Sequence, residues 1–366
     1  MSVVVVGRVA MCLALGSMLV AGCARFDDSA ASPFTPEPTF NPAQPKRPST
    51  TPPSTTRPSG PCIDPDPAVV ATCLDTTGGI ITVGDGALVA ERRTGRILKV
   101  VDPDTPPVEV AKVDVDGSAD GGLSDIALSP TFAEDGLLYA YITTGADNRV
   151  VRIAEGGSPK AIVTGIPKGA TGNHGALEWT GPNQLMVLTG DAGNPGLAST
   201  PTSLAGKLLR VNSPAPGAAP EVAVSGIGVA GDLCFDGKDS LWFTDRTPLE
   251  DRLQRLDPQG VVASGWTWPD RPGVAGCAAA VDGVGVALTD GKALALATVD
   301  PNTHMVTTAP SLLSQDKYGR LGGATLGPDG SFWVGTVNKT DGQPGPNDDR
   351  VVRIPLPQAG GGGGPD

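Results

Sequence analysis

One pattern recurs six times between Ala87 and Ile354: an apolar strand, a polar bend, then a second strand of mixed basic and apolar residues. The copies are 87–90 with 95–100, 137–141 with 149–153, 185–189 with 206–211, 241–244 with 252–256, a weaker 285–288 with 293–296, and 332–335 with 350–354. A spacing of roughly 45 to 55 residues is the size of a four-stranded propeller blade. A single hairpin cannot bury its own apolar face, whereas six blades stacked round an axis bury each against the next. A pair of β-sandwiches would show no fixed period. With Gly 50 and Pro 36 among 366 residues, long helices are disfavoured. The expectation is an all-β, six-bladed β-propeller over residues 61–357, closed by strands from both ends of the chain, with residues 358–366 as a flexible Gly-rich tail.

What precedes the repeats reads as export. Residues 1–22 combine Arg8 with an apolar run from Val9 to Val20, the layout of a signal peptide. The run Val20-Ala21-Gly22-Cys23 resembles the bacterial lipobox, and that resemblance implies cleavage before Cys23 and its lipidation, palmitate included, leaving the mature chain anchored at the outer face of a cell membrane. Residues 23–60 are dense in Pro, Ser and Thr and carry too few apolar groups to offset ordering, so they read as a lipidated, disordered tether. The formal net charge of −12, with no basic block, argues against a nucleic-acid partner.

Setting aside Cys12 in the leader and Cys23 leaves Cys62, Cys73, Cys234 and Cys277, an even number in an oxidising compartment. Three pairings are possible. The short loop between Cys62 and Cys73 favours that pair, with Cys234 and Cys277 left for each other. No Cys-x-x-Cys spacing suggests a metal or redox role.

Several segments resemble the quinoprotein glucose/sorbosone dehydrogenase family: Glu91-Arg92-Arg93-Thr94-Gly95-Arg96, Asp120-Gly121-Gly122-Leu123, Thr189-Gly190-Asp191-Ala192-Gly193-Asn194, Trp266-Thr267-Trp268-Pro269 and Gly327-Pro328-Asp329-Gly330. Further matches are 128–132 with 136–139, and 203–210. With the lipobox, the Pro-rich tether and 165–169, the chain also resembles mycobacterial envelope lipoproteins. The family resemblance implies a six-bladed propeller that binds pyrroloquinoline quinone (PQQ) and calcium at its axis and oxidises a sugar, with a histidine taking the hydroxyl proton. Most of the matching motifs are turn and strand grammar, more specific for fold than for activity.

At the site the match thins. Counted back from Gly190-Asp191, the family's histidine falls on Gly172, and His174 lies two positions late, where it serves as catalytic base only if two residues are deleted here. A shift of two in a strand keeps the side chain on the same face. Where the family has an Arg-Asn pair for the quinone carboxylates, this chain has Gly228 and Val229. An Arg-x-Arg element survives as Arg320-Leu321-Gly322, so Arg320 is the cofactor contact carried over. The calcium loop corresponds to Thr247-Pro248, whose backbone carbonyls would be the metal and cofactor ligands, while Arg246 beside them would repel a cation if it faced the axis. Asp114, Asp116 and Asp120 read as an acidic turn more readily than as a cation loop, and Asp348-Asp349-Arg350 as a solvated blade turn. Trp266 and Trp268 read as packing rather than a sugar-binding surface.

The residues therefore lead to a monomeric, lipid-anchored envelope propeller that binds a carbohydrate ligand or an envelope protein without catalysis. The alternatives are a divergent PQQ- and calcium-dependent oxidoreductase acting on an aldose or polyol, and a structural or assembly lipoprotein.

Overall fold

A computed structural model describes residues 60–357. The leader, Cys23, the tether up to Ser59 and the Gly-rich tail lie outside the described residues. Twenty-four strands form six four-stranded antiparallel sheets. β1 (Val69–Ala71) precedes blade one, which comprises β2 (Thr77–Val83), β3 (Gly86–Glu91), β4 (Arg96–Val100) and β5 (Val108–Lys112). Blade two is β6 (Leu123–Leu128), β7 (Leu138–Thr143), β8 (Asn148–Ile153) and β9 (Lys160–Ile166); blade three is β10 (Gly175–Gly181), β11 (Gln184–Thr189), β12 (Lys207–Asn212) and β13 (Glu221–Ser225). Blade four holds β14 (Val229–Phe235), β15 (Leu241–Arg246), β16 (Asp251–Leu256) and β17 (Val262–Trp268); blade five holds β18 (Val274–Ala280), β19 (Gly283–Leu288), β20 (Ala293–Thr298) and β21 (Ser311–Leu313). Blade six takes β22 (Leu321–Leu326), β23 (Phe332–Thr336) and β24 (Val351–Ile354), and β1 completes it, pairing Val69 with Val352 and Ala71 with Val351. The expected closure by both ends of the chain is present.

The six sequence copies are the two middle strands of each blade. The first of each pair is buried on both faces, as in β3, β7 and β23, and so reads as a continuous apolar run, whereas a second strand such as β16 is only partly buried and carries charged residues. The inner strands β2, β6, β10, β14, β18 and β22 pack against one another in a ring. Crowding there demands small residues: a Cβ on Gly276 of β18 would lie 2.3 Å from the carbonyl oxygen of Gly322 in β22. Outer strands such as β5 are largely exposed. Each seam between blades is filled by an apolar cluster, for example Trp242, Val274 and Val286 between blades four and five. Trp268 and Trp266 pack into that same cluster from β17, the packing role expected of them.

Both favoured disulfides form. Cys62 joins Cys73 across the segment containing β1, and Cys234 of β14 joins Cys277 of β18, tying the inner strands of neighbouring blades. The turn at 348–350 differs from expectation: Asp348 and Asp349 are buried. Asp349 accepts hydrogen bonds from Thr336 Oγ1 and the Asn338 amide, and Asp348 accepts from Asn338 Nδ2 and Arg350 Nε, so the carboxylates organise the loop after β23 from within.

Candidate functional site

In each blade the inner strand starts at one face of the ring, and the loops entering it and leaving the second strand converge on that face. They enclose an axial cavity of about 240 Å³. His174, in the loop before β10, and Arg320, just before β22, both line it. Arg92 after β3, Asp120 before β6, and Arg246 at the end of β15 line it with them. The only other histidine, His304, lies in the loop between β20 and β21, with Nδ1 3.7 Å from Asp239, and does not line the cavity.

The wall is tightly braced. Asp120 accepts from the Gly172 amide at 2.6 Å and from Asn173 Nδ2 at 2.8 Å, which fixes the turn that presents His174. Arg92 donates to the carbonyls of Ala119 and Gly121, holding the Asp120 loop in place. Asp114 and Asp116 take no part in the cavity wall; Asp116 pairs with Lys168, so the three aspartates do not act as one cation loop. Burial pushes the His174 imidazole down to about 4, with Arg246 and Arg92 acting in the same direction and Asp120 opposing them. At neutral pH the ring is uncharged and able to accept a proton.

The floor is acidic. Asp125 of β6 and Asp232 of β14 lie between this cavity and a second one at the opposite end of the channel, which Glu178 also lines. Burial raises all three carboxyls: Asp125 well above its usual range with a further push from Asp232, Asp232 to about 7, and Glu178 to about 8. Amides of neighbouring inner strands bond to this floor, Leu177 to Asp125 at 2.7 Å and Cys277 to Asp232 at 2.9 Å. These acids stitch the ring together.

The three cavity arginines are not equivalent. Arg92 is used by backbone carbonyls, and Arg320 pairs with Asp290 through Nη1. The Arg246 side chain makes no hydrogen bond or ion pair among the described residues, and its Nε is buried without an acceptor. Thr247 and Pro248 occupy the turn between β15 and β16, where the amide and Oγ1 of Thr247 both donate to the Glu250 carbonyl; Pro248 is exposed, and neither residue lines the cavity. With a guanidinium beside that turn facing the cavity, these residues do not fit a calcium ion. The cavity wall fits a carboxylate-bearing group, for which Arg246 offers an unpartnered guanidinium.

Sequence reasoning singled out His174 and Arg320 and treated Arg246 only as an obstacle. It passed over Arg92, Asp125 and Asp232. A usable signal was present: Arg92 and Arg246 each stand where a middle strand ends, at the face on which the inner strands begin.

The fold is a six-bladed β-propeller with an axial cavity, and part of the chain is similar to glucose/sorbosone dehydrogenases. The sequence pattern of the Glucose / Sorbosone dehydrogenase family matches residues 74–226, a span that includes His174 and ends before Gly228, Arg246 and Arg320. Among solved structures, the chain is similar to the PQQ-bound aldose sugar dehydrogenase of Streptomyces coelicolor, at 29% identity and a TM-score of 0.71 over 78% of this chain and 96% of that one. It is also similar to a putative oxidoreductase (glucose dehydrogenase) of Thermus thermophilus, at 27% identity and 0.69 over 78% and 98%. The apo soluble aldose sugar dehydrogenase of Escherichia coli shares the fold, at 19% identity and 0.64 over 78% and 98%. No curated protein sequence matches significantly.

Proposed function

We propose that this chain is an exported, lipid-anchored propeller of the envelope that binds a ligand in its axial cavity without turning it over. The observation that carries this is the convergence of His174, Arg92, Arg246 and Arg320 on one enclosed cavity, while the calcium turn at Thr247-Pro248 stands outside it. Anchoring through Cys23 would keep the cavity on the extracytoplasmic side, within reach of envelope carbohydrate.

A second reading is favoured by His174. Its neutral imidazole shares the cavity with two arginines that carry the charge needed for quinone carboxylates, as expected of a divergent dehydrogenase. PQQ, when bound, would supply the two-electron acceptor for a sugar hydroxyl. Arg246 and Arg320 would hold its carboxylates, and His174 would take the hydroxyl proton at an imidazole nitrogen, with Asp120 fixing the turn that presents it.

Calorimetric titration of the purified full chain with PQQ, with and without calcium, followed by dye-linked oxidation of aldoses, separates the two. Binding without turnover supports the non-catalytic reading. Turnover that vanishes in His174→Ala, in a protein that still melts cooperatively, replaces it with the dehydrogenase.

A further inference from the structure

The run Ser225–Gly231 lacks the arginine that the resemblance led one to expect, and the fold shows why none can stand there. A Cβ on Gly228 would lie 2.1 Å from the carbonyl oxygen of Arg246, and the Gly228 amide is tied to Asp245 Oδ2 at 2.9 Å. The neighbouring strand carries a guanidinium. In the antiparallel ladder of β14 and β15, Val229 pairs directly with Arg246. Directly paired residues project to the same face of a sheet, about 5 Å apart, so the Arg246 guanidinium lies on the same face as the position-229 side chain, beside the site where the resemblance places the pair.

The charges around Arg246 leave its donors free. Asp120 is bound by the Gly172–Asn173 turn and Asp290 by Arg320. Asp251 stands opposite Arg246 in the β15–β16 ladder; its Oδ2 is taken by the amides of Gly273 and Val274, its Oδ1 is buried without a partner, and no ion pair with Arg246 forms. These carboxylates help keep the guanidinium charged against burial. Alternation along β15 sends Asp245 to the other face, where it pairs with Arg252 at 2.5 Å. Buried guanidinium donors without acceptors are costly in a closed protein and become favourable when an anion enters.

We propose that Arg246, buried on the cavity wall with its Nε unpartnered, supplies the fixed positive charge of the axial cavity in place of a divalent cation, so that the cavity binds a carboxylate-bearing ligand without calcium. This rests on the reading of the cavity as a ligand site. The ligand class it selects is a sugar acid or a quinone carboxylate in preference to a neutral aldose.

The test is titration of the full chain with PQQ, glucuronate and glucose, each in excess EGTA and again in calcium. The expected result is that the two carboxylates bind with the same affinity in both media and glucose binds more weakly. Arg246→Gln should weaken carboxylate binding by about 10- to 100-fold, the loss of a charge-assisted pair. Arg246→Lys should fall between, since it keeps the charge and loses the fork; it also serves if the glutamine variant does not fold. Calcium-dependent binding, or carboxylate affinity unchanged in both variants, overturns the proposal. If glucose binds and the carboxylates do not, the proposal falls while the cavity remains a ligand site. If nothing binds to a folded chain, the ligand-site reading falls with it.

Discussion

His174 and Asp232 face one cavity, and their ionisations pull stability in opposite directions with pH. The His174 imidazole titrates at about 4 in the folded chain against 6.5 for a free histidine, so the unfolded chain takes up the proton first as pH falls. Its contribution is therefore intact above about 6.5 and is lost on the way down to about 4. Asp232 behaves oppositely. With its carboxyl at about 7 in the fold against 3.8 ordinarily, the folded chain holds the proton first, and stability is lost as pH rises from about 4 through 7. Melting curves of single variants separate the two. His174→Gln should raise the Tm at about pH 5 and leave it unchanged at about pH 8, whereas Asp232→Asn should stabilise most at about pH 8, by on the order of 2 kcal/mol, and progressively less as pH falls toward about 4. Identical shifts at both pH values would show that neither group titrates as placed. His174 was legible in the sequence because histidine is scarce here. The acid floor was not, since Asp125 and Asp232 are single acids inside apolar strands, and their shared location exists only after six blades close.

At the scale of strands, legibility followed burial. The first middle strand of each blade announced itself as an apolar run, but the inner strands did not, because the ring selects glycine and alanine where neighbouring backbones nearly touch and tolerates acids where amides from the next blade can bond them. β18, with its Val-Ala-Gly-Cys-Ala-Ala-Ala sequence, carries almost no large side chain and still stands at the centre of the fold. Gly276→Ala tests this account. Its new Cβ would press within 2.3 Å of backbone that cannot swing away, so a loss of about 2–4 kcal/mol is expected in denaturant unfolding, near the upper end for single substitutions. A loss below about 0.5 kcal/mol, usual for a permissive surface site, would mean that the ring is looser than drawn. The same crowding acts at Gly228, where a Cβ would meet the Arg246 carbonyl oxygen and a side chain is excluded.

For the molecule as a whole, β1 decides whether there is a ring at all. It supplies the outer strand of blade six, and the Cys62–Cys73 disulfide flanks it. Removing residues 60–71 should leave β24 as an open edge and abolish the single cooperative melt, which calorimetry would register as a broad or absent transition; a sharp transition at the original temperature would show that the ring closes without it. Sequence reasoning anticipated this join from the repeat count, yet the strand itself, three residues of Val-Val-Ala, carries no signature of its own. The pairing also imposes an order in time. Val69 is synthesised long before its partner Val352, so the first strand of the described residues waits for the last before it has anywhere to go. Until then the first blade and the latest one made each present an unmatched flank, open to false pairing. A ribosome stalled anywhere before the final strand would release no shorter working version of this protein.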